Sequence, residues 1–206
     1  MSNTIRIHRH ALSGHSHRVE LFASLAGIKY ETIDVDLANG EHLNEPFLSL
    51  NPFGQVPVLE DGDAVITDSN AILVYLARKY APAFIPTDVV LEAEVQRFLS
   101  VVAGEIAFGP AAARLVTVFG APLNAENAIA LAHKSFAKVE AHLAGRTWLV
   151  GNRPTIADVA FYSYTQHAPE GNVSLADYPN IRGLLSRISE LKGFIAMGKT
   201  EVGLAA

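Results

Sequence analysis

Residues 51–72 read NPFGQVPVLEDGDAVITDSNAI, and this stretch decides the architecture. Val56–Leu59 and Ala64–Thr67 are short β-rich runs around Asp61-Gly62, a hairpin signal. Pro57 stands at the mouth of the first run, where proline is tolerated in a sheet, and an X-Pro bond can adopt cis there. Val56 would then offer its N–H and C=O to a peptide-like ligand as an added strand does. Asp68-Ser69 opens the next helix, Ser69–Tyr80, whose first-turn N–H groups suit a carboxylate. The segment reads as a holder for a small peptide carrying a free carboxylate.

Upstream, Thr4–Arg9 alternates with Ile5 and Ile7 on one face and reads as a strand. His17–Ala26 carries Val19, Phe22, Ala23 and Ala26 on one helical stripe, and Tyr30–Leu37 alternates again. Phe47–Leu50 reads as a short irregular helix closed by Asn51-Pro52. The order is βαβαββα, and the crossover between the first two strands implies a parallel pair. An α/β thioredoxin-like N-terminal domain is expected over residues 1–80.

Ala81–Thr87 carries two prolines and reads as a linker. Beyond it, over residues 88–206, an all-α helical C-terminal domain is expected. Leu91, Val95, Phe98, Val102 and Ile106 repeat at helical spacing, as do Ile129, Phe136, Val139 and Leu143, and then Ile181, Leu184, Leu185, Ile188 and Leu191. Thr155-Ile156-Ala157-Asp158 is a capping-box start, with a structural role worth about 1 kcal/mol.

A formal charge of −5 with scattered basic residues argues against a nucleic-acid partner. The absence of cysteine excludes disulfides, thiolate metal sites and a cysteine nucleophile. No uninterrupted apolar run approaches a membrane span and the N-terminus lacks a signal core, so a cytoplasmic protein without a membrane partner is expected.

The block GEHLNEPFLSLNPFGQVPVLEDGDAVITDSNAI (40–72), together with Thr155–Asp158 and Gly151, resembles the cytosolic glutathione S-transferases over essentially the whole chain. The block is most similar to the phi class and its bacterial relatives. The resemblance implies that Pro57 is a cis proline and that Val56 pairs with the cysteinyl backbone of glutathione. It implies that Asp68 and Ser69 bind the γ-glutamyl end, Ser69 at the carboxylate and Asp68 near the amino group; the alternative is that Asp68 merely caps the helix and Ser69 fills its first turn. Gln55 and His42 match side chains near the glutathione backbone and the glycyl carboxylate. The phi-like pattern has Lys after that His where this chain has Leu43, which would weaken glutathione binding a few-fold. Glutathione is implied as co-substrate, with no permanently bound cofactor.

A hydroxyl donor to sulfur plus the positive end of a helix could activate a thiol, and both must then lie between the first strand and first helix, facing Val56. That loop reads HALSGHSHRVELF (10–22). Serine-type transferases carry the catalytic Ser five residues before the helix Arg, which here is Arg18, so Ser13 is the implied catalytic residue. Ser16, a possible N-cap, is the runner-up. No Tyr lies in the loop, and the Ser-Ser-Cys motif of zeta-class isomerases is absent. A hydrophobic electrophile is expected between the domains, with His15, Phe108 and Arg114 as candidates beside the cluster Phe161, Tyr162 and Tyr164. Gly109-Pro110 reads as a kink. His8 and His10 share a strand face but lack a completing ligand, so no metal site is expected. His15 is also a candidate for titration near neutrality beside the sulfur. Phe53 resembles the aromatic key of dimeric transferases, so a homodimer is expected. The expected activity is serine-type glutathione transfer to an electrophile. A non-catalytic glutathione-binding or scaffold relative and a glutathione-dependent peroxidase are the alternatives.

Overall fold

The computed structural model describes residues 4–206. By packing, the chain separates into two units, Met1–Pro82 with Lys192–Gly198, and Ala83–Leu191 with Lys199–Ala206. The expected helical domain ran unbroken to 206. Instead residues 192–198 group with the first unit, where Gly193 O accepts from Ser24 Oγ (2.6 Å) and Ile195 O pairs with His17 Nε2 (3.0 Å).

The first unit is a four-stranded sheet in the order β2-β1-β3-β4. Strand β1 (Ile5–Arg9) leads through helix α1 (Gly14–Leu25) to β2 (Tyr30–Asp34), which lies parallel to it with Ile5 opposite Tyr30. A short helix α2 (Phe47–Leu50) precedes the hairpin of β3 (Val58–Asp61) and β4 (Ala64–Thr67), and α3 (Ser69–Tyr80) follows. Strand β3 runs antiparallel to β1, pairing Ile7 with Leu59 and His8 with Val58. Alternation therefore sends Ile7 and Leu59 to one sheet face and Val58 to the other. On the latter face Phe47 packs against Val35 and Val58. Helices α1 and α3 pack together, burying Val19, Phe22, Ile72, Leu73 and Leu76.

Several boundaries moved from the expectation, two of them by three residues. Helix α1 begins at Gly14, three residues early, because Ser13 caps it. Strand β2 stops at Asp34 because Asp36 accepts from the Asn39 amide and side chain and turns the chain away.

In the second unit, α4 (Val89–Val101) continues through a π-helical stretch (Val102–Ala111) into α5 (Ala112–Phe119). Gly109-Pro110 was expected to kink the helix. Pro110, whose missing N–H removes one rung, stands inside the π-helical stretch. Gly109 is needed there, since a Cβ would lie 3.0 Å from the backbone of Ala132. Ala132 belongs to α6 (Ala125–His142), and α7 (Ile156–Gln166) and α8 (Pro179–Ser189) complete the unit. The 31-residue helix 89–119 is long and apolar enough to cross a bilayer by composition. It buries Val95, Phe98, Leu99, Val102 and Ile106 against the protein's own core, as a central helix of a bundle does.

The Thr155–Asp158 box caps α7 as read from the sequence. Asp158, fully buried, accepts from Leu149 N–H (2.8 Å), Thr155 N–H (2.8 Å) and Thr155 Oγ1–H (3.0 Å). Burial pushes its carboxyl up to about 6 against the pull of those donors.

Arg114 requires a correction. It is 1 % exposed and its Nε donates to Glu170 Oε2 at 2.7 Å. Glu170, 2 % exposed, also pairs with His167 Nδ1 (2.6 Å) and accepts from Thr200 Oγ1 (2.8 Å). Burial raises the Glu170 carboxyl, but its His167, Thr200 and Arg114 partners outweigh that and hold it below the usual carboxylate range. Arg114 is thus a core ion-pair residue rather than a surface for an electrophile. Phe161, Tyr162 and Tyr164 are likewise buried in this core.

Candidate functional site

Three junctions of the first unit, two from loop to helix and one from loop to strand, carry the expected glutathione-site residues. At the first, Ser13 is extended (φ −83°, ψ 118°) and its Oγ accepts the Ser16 amide at 3.2 Å. Serine is favoured at that position for this reason. Ser16, the runner-up, does not cap the helix. It is fully buried, and its Oγ accepts the His10 amide at 3.3 Å. Of the two hydroxyls, only that of Ser13 stands at the partly exposed rim of the helix start.

At the second junction the Val56–Pro57 bond is cis. The β1–β3 ladder begins at Val58, so Val56 lies just outside it. Asn51 Nδ2 donates to Gln55 O (2.8 Å) and Asn51 Oδ1 accepts from Phe53 N–H (3.1 Å), which fixes the loop ahead of Val56. Gly54 has φ 60°, and a Cβ there would meet His42 O at 3.0 Å and Leu43 Cδ2 at 3.1 Å. A glycine is therefore what lets the 40–44 segment lie against this loop, bringing half-buried His42 near exposed Gln55. Leu43 is 60 % exposed beside them.

At the third, Asp68 occupies a left-handed backbone region (φ 68°, ψ 125°), unusual for a non-glycine residue and costing about 1–3 kcal/mol. Its Oδ1 accepts the amides of both Asn70 and Ala71 at 2.9 Å. Capping thus uses one carboxylate oxygen of an exposed residue. Ser69 is 2 % exposed, its Oγ 3.0 Å from His15 Nδ1 and 3.3 Å from Arg18 Nη1. The same Arg18 nitrogen donates to Asn70 Oδ1 at 3.0 Å. Burial, with Arg18 adding to it, pushes His15 down to about 3. Both effects favour the neutral imidazole, against the expectation of a titration near neutrality. His15 turns to Ser69, and so joins the α3 end of the site.

Sequence reading used Arg18 only as a landmark and missed it as the buried cation under Ser69. The signal was present: a charge four residues before Phe22, on the buried face of α1. The other histidines of the cluster have protein partners, His8 with Glu60 (2.6 Å) and His10 accepting the Leu12 amide (3.3 Å). Strand β1 ends before His10, so the two do not share a strand face. Phe108 is 69 % exposed on the π-helical stretch, and Phe53 is 82 % exposed beside Gly54.

The family models described as the glutathione S-transferase N-terminal and C-terminal domains match residues 7–78 and 120–192. Maleylpyruvate isomerase of Ralstonia sp is 34% identical over 88% of this chain and 91% of its own length. Glutathione S-transferase theta-2 of Mus musculus is 42% identical over 43% of this chain, but that match spans only 37% of the mouse protein. A glutathione S-transferase structure from Pseudomonas fluorescens superposes with a TM-score of 0.90 at 28% identity, covering 95% of this chain and 99% of that one. A transferase homologue from Drosophila mojavensis with bound glutathione superposes at 0.85 and 29% identity, covering 93% and 89%. The chain belongs to the glutathione S-transferase family.

Proposed function

We propose that this protein is a serine-type glutathione transferase in which Ser13 activates the thiol. The observation that carries the reading is the geometry at Ser13. Its oxygen already accepts the Ser16 amide, so its proton is available to donate to a thiolate sulfur. The N-terminus of the 12-residue α1 adds positive potential at the same place. Lowering a thiol from about 8.5 by two units needs about 2.7 kcal/mol, within reach of one charge-assisted hydrogen bond plus a helix end. The thiolate then attacks an electrophilic carbon, forming a thioether and expelling the leaving group with its electron pair.

Glutathione would lie with its cysteinyl backbone along Val56, its γ-glutamyl amino group near the Asp68 oxygen not used in capping, and its α-carboxylate at Ser69. His42 and Gln55 would meet the glycyl end. Phe108 is the remaining candidate for an apolar electrophile. A cytoplasmic homodimer with Phe53 at the subunit contact completes the proposal; a monomer mass in solution scattering would refute that part.

The Ralstonia similarity favours a second reading on the same groups. In an isomerisation the thiolate adds to a conjugated double bond, the bond rotates, and the thiolate leaves unchanged.

The test is thiolate absorbance of bound glutathione against pH. Wild type should ionise the thiol about two units low, and Ser13→Ala should return most of that shift. Binding with an unshifted thiol would leave a carrier or scaffold as the better description. An unchanged shift in Ser13→Ala would move the role away from that hydroxyl.

A further inference from the structure

The Ser69 hydroxyl has one proton and two lone pairs. Arg18 can only donate, so its Nη1 fills one lone pair. The imidazole nitrogen 3.0 Å away can do either. If Nδ1 accepts, Ser69 spends its only proton inside the protein and presents nothing to an anion. If Nδ1–H donates, both lone pairs are filled and the proton must point away from His15 and Arg18. With Ser69 2 % exposed, bulk water does not substitute for either partner.

We propose that His15 is a positioning residue for the α-carboxylate of the bound thiol peptide, setting through its tautomer the direction of the Ser69 proton. With Nδ1 unprotonated, Ser69 donates to it across the 3.0 Å contact. When a carboxylate arrives, the ring gives up its Nε2 proton to solvent and takes one from solvent at Nδ1, Nδ1–H donates to Ser69, and Ser69 donates to the ligand. The exchange moves no net charge, because burial beside Arg18 keeps the ring neutral. A leucine would leave a lone pair unfilled, and a lysine would add a charge in a buried place. The inference rests on the glutathione-site reading above and deepens it.

The experiment is calorimetric titration with S-methylglutathione, which has no free thiol and so is independent of Ser13 chemistry. A second ligand carries a carboxamide in place of the γ-glutamyl α-carboxylate. Wild type should prefer the carboxylate ligand. His15→Leu should lose about tenfold on that ligand and little on the carboxamide, since one hydrogen bond to a charged group is at stake. His15→Asn, whose amide reaches the place of Nδ1, should restore the preference. Equal loss on both ligands would mark a merely structural role and overturn the proposal. So would no loss in His15→Leu, or His15→Asn behaving like His15→Leu. A wild-type protein binding neither ligand would instead refute the glutathione-site reading, a failure visible before any variant is measured.

Discussion

Asp158→Asn isolates a buried cap with a defined number of donors. The carboxylate takes three, from Leu149 N–H and from the Thr155 amide and hydroxyl. An asparagine has one acceptor oxygen. Turned to keep both Thr155 bonds, it faces its own N–H₂ against the Leu149 N–H, stranding two buried donor groups. At about 1–3 kcal/mol each, less relief from removing a buried charge, the loss should be about 2–4 kcal/mol. For a chain of this size that lowers Tm by roughly 5–15 °C. The assay is urea unfolding followed by fluorescence of Trp148, the single tryptophan, 8 % exposed and adjacent to Leu149. The pH dependence carries a sign. Asp158 is raised from 3.8 to about 6, so between those values the folded state holds a proton that the unfolded state has released. The stabilisation is fully present below about pH 4 and declines as pH rises through 6, by at most about 1.4 kcal/mol per unit. The variant does not titrate there, so the wild-type advantage should be larger at pH 5 than at pH 7. An advantage that grows with pH would show that the three donors outweigh burial, and a loss under about 0.5 kcal/mol would refute the donor count itself.

Arg114→Leu leaves the Glu170 carboxylate buried without its cation and should cost about 3–5 kcal/mol, read as a fall in Tm. The loss should shrink in acid, where Glu170, held low in wild type, takes a proton at higher pH without the arginine; a pH-independent loss would mean that packing alone is at work. Asp68→Asn keeps the caps to Asn70 and Ala71 and tolerates φ 68°, so stability should stay within about 0.5 kcal/mol of wild type. Its affinity for S-methylglutathione should fall several-fold with loss of charge beside the amino group. A Tm drop with unchanged affinity would return Asp68 to a purely capping role.

The pattern of apolar residues was enough for the sheet and helices, because alternation and helical stripes depend on neighbours within a few residues. It was weakest where polar side chains bury one another. Ser16 looked like a cap because the sequence does not reveal that Ser13 takes the Ser16 amide. Arg114 looked like a ligand contact because its partner, Glu170, lies 56 residues away. The same distance problem hid the Arg18–Ser69 contact, 51 residues apart. Local backbone features near the candidate site were legible, as in the X-Pro bond at Pro57 and the cap at Asp68; which hydroxyl faces which partner was a property of the folded chain alone. Gly109-Pro110 was read as a kink because proline interrupts an α-helix; that it lies in a π-helical stretch held against Ala132 was not legible from local sequence.

Lys192–Gly198 belongs to the first unit yet follows nearly all of the second in the chain. A polypeptide leaves the ribosome from its N-terminus, at about 5–20 residues per second. The carbonyls that receive Ser24 and His17 are therefore made last, roughly 5–20 seconds after Pro82 at those rates. Until then α1 waits with two polar groups lacking their final partners while the helical unit is synthesised. The backbone of α1, capped by Ser13 and closed at Ala26, is complete long before, so what arrives late in translation is a pair of side-chain contacts that tie residues 192–198 to the first unit.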